Sequence, residues 1–68
     1  MEKQQIIERL VNMYFLIQKD EKHFKDDEVS LVALRNQRFG VRMAAGALGL
    51  WDEVCEKIEQ ERLTQNKS

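Results

Sequence analysis

A chain of 68 residues and 8.1 kDa holds one small domain, and its mixture of 43% hydrophobic and 34% charged residues excludes both a disordered tail and a membrane-embedded chain. Eleven Lys and Arg against twelve Asp and Glu leave a net charge of -1, which argues against a general nucleic-acid binder, because such proteins carry a basic excess. The single cysteine, Cys55, excludes an intrachain disulfide and favours a reducing compartment.

For so short a chain, hydrophobic burial and ordering entropy come close to cancelling, so a partner surface adds much and self-association is expected. The polar start Met1-Glu2-Lys3-Gln4-Gln5 lacks the apolar stretch of a signal peptide. The longest apolar run, Phe39 to Trp51, is interrupted by Arg42 and too short for a bilayer, which leaves a cytoplasmic location as the expectation.

Proline is absent and glycine occurs only at Gly40, Gly46 and Gly49; with abundant Glu, Lys, Gln, Leu and Arg, this predicts helices joined by short turns. Ile6, Leu10, Met13 and Ile17 recur at steps of four and three residues, with Ile7, Val11 and Tyr14 beside them, so the first helix spans Glu2 to Gln18. Phe15 and Leu16 fall off that stripe and are the candidates for a dimer interface. The charged stretch Lys19 to Asp27 reads as a connection, with Asp26 or Asp27 suited to cap the second helix.

That second helix is predicted from Asp27 to Leu48, continuous through Gly40. It carries two apolar strips, Leu34, Val41, Ala45 and Leu48 on one side and Val32, Phe39 and Met43 on another. Two strips imply two neighbours, which places this long helix at the centre of the fold. Gly49 stands where a helix end needs a left-handed residue, and a third helix runs from Trp51 to Leu63 with a narrower stripe of Trp51, Val54, Cys55 and Ile58. Residues 1–64 form the domain, and 65–68 are expected to be a disordered tail.

Between Glu28 and Asp52 no acidic residue occurs, while Arg35, Arg38 and Arg42 line one face of the second helix. Edged by Phe39, this stripe is the candidate site for gripping an acidic protein surface through forked guanidinium donors. The competing reading is purely structural: the stripe pairs with the third helix, whose charges from Asp52 to Arg62 are net negative, or with acids of a second subunit.

Nothing in the sequence supports an enzyme, and no cofactor or metal is expected. Cys55 sits on an apolar stripe, His23 lies far from it along the chain, and one Cys with one His falls short of a zinc site. Asp26, Asp27 and Glu28 lack the alternating ligands and turn glycine of a calcium loop, and the glycines are not followed by Lys-Ser or Lys-Thr as in a phosphate-binding loop.

Ala45, Gly49, Cys55 and Ile58 have the spacing of a helix-turn-helix, and Ala44 to Leu50 resembles the first half of that DNA-binding motif. The resemblance implies a transcription regulator. The third helix departs from it, carrying Asp52, Glu53, Glu56 and Glu59 where phosphates and base edges would be met, with Lys57 its only basic residue before Arg62.

The sequence therefore points to a small all-α three-helix bundle that forms a homodimer through its first or second helix and regulates another protein by binding it. The alternatives are a helix-turn-helix regulator and an oligomeric structural or assembly subunit.

Overall fold

The computed structural model describes residues 2–66 as an all-α three-helix bundle of α1 (Lys3–His23), α2 (Glu28–Ala47) and α3 (Trp51–Asn66). At the head of α1 the Glu2 backbone N–H donates to Gln5 Oε1 at 3.1 Å, so a side chain from within the first turn satisfies the backbone just before it. This helix buries Ile7, Leu10, Val11 and Ile17; of the other residues expected on the apolar stripe, Ile6 and Tyr14 are partly buried and Met13 is 50% exposed.

Where the sequence reading ends the first helix at Gln18, α1 continues through Lys19-Asp20-Glu21-Lys22-His23. Apolar periodicity stops there, but helical hydrogen bonding does not, since Lys and Glu are good helix formers in any exposed position. Lys22 and His23 also suit the negative end of the helix dipole. The chain then reverses within four residues, held by Phe24 N–H to the Asp20 carbonyl at 2.9 Å and Asp27 N–H to the Phe24 carbonyl at 3.0 Å.

Asp27 caps α2. Its carboxylate accepts from the Ser30 backbone N–H at 3.1 Å and from the Ser30 hydroxyl at 2.9 Å. These bonds, the backbone one foremost, hold the Asp27 carboxyl below its ordinary pKa. α2 passes Gly40 without a break and ends in a glycine turn of the Schellman type. Gly49 has φ 70°, its N–H bonds the Gly46 carbonyl at 3.0 Å, and the Leu50 N–H bonds the Ala45 carbonyl at 2.8 Å. Leu50 and Ala45 are both buried, so the turn is locked into the core as well as by its hydrogen bonds.

The core unites Ile7, Leu10, Val11 and Ile17 of α1, Leu34, Val41 and Ala45 of α2, and Leu50, Val54 and Ile58 at and after the turn. α1 is the longest helix, 21 residues against 20 for α2, and packs on both of the others. Of the two apolar strips of α2, the first enters the core through Leu34, Val41 and Ala45, while Leu48, expected with them, is 55% exposed. Val32, Phe39 and Met43 are 55%, 60% and 57% exposed, so within one chain the second strip has no neighbour. α3 runs through Gln65 and Asn66, where the sequence predicts a tail, and the Thr64 hydroxyl donates to the Gln60 carbonyl at 3.1 Å on the way. The rest of that tail, 67–68, lies outside the described residues.

Candidate functional site

The arginine stripe of α2 lies beside the seam where α1 and α3 meet the helix, and its three members have different surroundings. Arg38 Nη2 donates to Glu21 Oε1 on the last turns of α1, and its guanidinium carbon lies 5.7 Å from the centroid of the Tyr14 ring. Glu21 belongs to the stretch read from sequence as a connection, and it is the helical continuation of α1 that carries it to Arg38. It follows Tyr14 by seven residues, so the two share a helix face, a spacing that could have identified Glu21 as the partner of the stripe.

Arg42 stacks on the other aromatic wall, 5.6 Å from the centroid of Trp51 at the start of α3. Neither Arg35 nor Arg42 forms an ion pair with a carboxylate among the described residues. Among the described residues α3 therefore neutralises none of the three arginines, Arg38 being paired from α1. The acidic α3 instead sends Glu53 to Lys3 of α1, at 2.9 Å, and exposes Asp52, Glu56 and Glu59.

Between the two stacked arginines is a shallow cavity of about 290 Å³, walled by Tyr14 and Trp51, floored by Val41 and edged by Phe39. Tyr14 and Trp51, which lie on the apolar stripes of their helices, are half-buried and pack against the core as walls of this cavity. Tyr14 is held from three sides: its hydroxyl accepts from Arg62 Nη2 at 3.0 Å, Phe15 meets its ring edge-on at 5.6 Å, and Arg38 lies over its ring. One donor of the site, Arg38 Nε, is buried with no hydrogen-bond partner among the described residues. The cavity thus sets apolar and aromatic surface beside guanidinium donors.

The two candidate interface residues on α1 separate. Phe15 is partly buried against the core and braces Tyr14, so its place off the main stripe serves packing within the chain. Leu16 is 60% exposed and, with Met13, rims a second groove of about 430 Å³ whose α2 side includes Gly40 and Ala44.

Cys55 is a free, half-buried thiol, and no group of three or more metal-ligating side chains occurs among the described residues. No helix is long and apolar enough to cross a membrane among the described residues. Compared with protein-family models, with curated proteins and with solved structures, the chain matches none.

Proposed function

We propose that this chain is a small, non-enzymatic interaction module that regulates another protein by binding an acidic segment of it along α2, with Arg35, Arg38, Phe39 and Arg42 as the contact residues. The observation that carries the reading is the pair Arg35 and Arg42: two guanidinium groups without a carboxylate, set at the rim of an apolar cavity. Cations left unpaired beside apolar surface gain most from a partner that brings both carboxylates and hydrocarbon, because desolvation strengthens each charge-assisted hydrogen bond. With such a partner in place α2 has both of its apolar strips covered and becomes the central helix.

Homodimerisation belongs to the same reading. It rests on the small size of the chain and on Leu16, which stands open beside Met13 on the other edge of the α1 and α2 pair. A single half-buried cysteine and the absence of a membrane-spanning helix among the described residues are in keeping with work in the cytoplasm.

Trp51, the only tryptophan, forms one wall of the cavity and serves as an intrinsic reporter. The test titrates the protein with tryptophan-free peptides that alternate Glu with Leu or Phe, following Trp51 emission, and repeats it with Arg35→Glu/Arg42→Glu. An Arg9→Glu variant on the exposed side of α1 is the control. Binding that survives the double charge reversal with helicity intact removes the arginine edge from the function.

The second reading, a helix-turn-helix regulator, has the glycine turn at Gly49 in its favour and the carboxylates of α3 against it.

A further inference from the structure

The solvent side of α2 carries a pattern that the core does not need. Val29, Val32, Asn36, Phe39, Met43 and Gly46 succeed one another at alternating steps of three and four residues, and all of them are exposed. This is the a and d spacing of a coiled-coil seam, running along the helix away from buried Leu34, Val41 and Ala45. One flank of the seam, the g positions, is formed by Glu28 at the start of the helix and then by Arg35 and Arg42. The other flank, the e positions, is formed by Ala33, Gly40 and Ala47, which are too small to obstruct a neighbouring backbone.

The two glycines within α2 add to this. A Cβ at Gly40 or Gly46 would meet nothing within 4 Å, and neither residue has a positive φ. Within one chain each glycine is therefore a plain cost of about 1 kcal/mol relative to Ala. Both lie on or beside the seam, and Gly40 also lines the groove beside Leu16, so the absence of a side chain matters to something docked on this exposed side of α2.

We propose that the acidic segment bound by this protein is an amphipathic α-helix that pairs with α2 as a short coiled coil, its apolar a and d residues on Val32, Phe39 and Met43 and its flanking carboxylates on Arg35 and Arg42. The proposal rests on the acidic-partner reading and adds the conformation and register of the bound segment. A helix is the occupant because only a second helix repeats its side chains with the period of this seam. Asn36, polar at an a position in the middle of the seam, sets the register by excluding alignments that bury it against hydrocarbon.

Charge selects a different molecule over a second copy of this chain. Antiparallel pairing of two α2 helices along their full overlap brings Arg35 of one copy against Arg42 of the other. Parallel pairing sets Arg35 and Arg42 across Gly40 and Ala47 of the other copy, where no carboxylate answers them. A helix with Glu at its own e and g positions pairs with both arginines in either direction.

Three synthetic peptides of about three heptads test this with the full chain. The first has Leu at a and d, one central Asn at a, and Glu at e and g; the second scrambles that composition; the third replaces the flanking Glu with Lys. The first should bind at least about tenfold more tightly than either of the others and gain helicity on binding, by circular dichroism and Trp51 emission. Phe39→Glu, at a largely exposed position, should abolish that binding with helicity retained, and Asn36→Leu should weaken it several-fold, because the central Asn of the peptide is then buried against hydrocarbon.

Equal binding of the scrambled acidic peptide overturns the helical partner and leaves the acidic-segment reading standing. Equal binding of the Lys peptide overturns the acidic reading itself. Binding of the first peptide that is unchanged by Phe39→Glu overturns the seam, and so does sedimentation of the chain alone as a dimer that Phe39→Glu dissolves.

Discussion

Arg62, near the end of α3, donates from Nη2 to the hydroxyl of Tyr14 in the middle of α1 at 3.0 Å, a bond that joins residues 48 positions apart. It ties the least apolar helix of the bundle to the ring against which Arg38 stacks, so the shape of the cavity depends on all three helices.

Tyr14→Phe tests that link. The ring and its packing remain, and only the acceptor for Arg62 is lost, at a site with access to water. Unfolding in urea should show a loss of about 1 kcal/mol or less. Affinity for an acidic peptide should fall further than this small change in stability would suggest, because the wall of the cavity is no longer held. Isothermal titration measures the second quantity.

The three glycines should respond in opposite directions. Gly40→Ala and Gly46→Ala place a methyl group in open space within a helix and should each stabilise the isolated chain by about 0.5–1 kcal/mol. Gly49→Ala forces an L side chain to φ 70° at the Schellman turn and should destabilise it by about 1–2 kcal/mol. Thermal melts compare the three directly.

Asp27 makes stability depend on acid. Its carboxyl titrates lower in the folded chain than its ordinary value, 3.8, because the Ser30 backbone N–H and then the Ser30 hydroxyl bond the charged form. The folded state thus binds the proton less readily than the unfolded state. The contribution is present in full above the ordinary value and disappears as pH falls from there through the lower folded value. Asp27→Asn keeps a capping acceptor and removes the titration. Its melting temperature should therefore change less than that of the parent between pH 5 and strongly acidic solution, as read by far-ultraviolet circular dichroism.

Double-stranded DNA should not be retained even at low salt in a gel-shift titration. The exposed Asp52, Glu56 and Glu59 present negative charge on the helix that would enter the groove. A salt-sensitive shift at low protein concentration would favour the helix-turn-helix reading over the interaction module.

The helices and the turn at Gly49 are legible in the residues because each depends on local chemistry: apolar spacing, an Asp placed to meet free backbone N–H groups, a glycine where φ turns positive. The buried set is legible in part: Val11, Val41 and Val54 lie on stripes that their own helices define, but Met13 and Leu48 on the same stripes are exposed and Leu50 of the turn is buried. The end of α1 is less so. Lys19 to His23 has no apolar periodicity, and its helical state joins Glu21 to Arg38, a residue 17 positions away.

The pairing of charges belongs to the tertiary structure alone. Local composition sets acidic α3 against basic α2, but the placement of the helices sends Glu53 to Lys3 and Glu21 to Arg38, leaving Arg35 and Arg42 unanswered among the described residues. The same placement covers Phe15 and leaves Leu16 open, although they are neighbours in the chain. Sequence determines which faces of a helix are greasy or charged. Which of those faces finds a neighbour depends on the angles at which three rods cross, and those angles are set by the packing of the whole core.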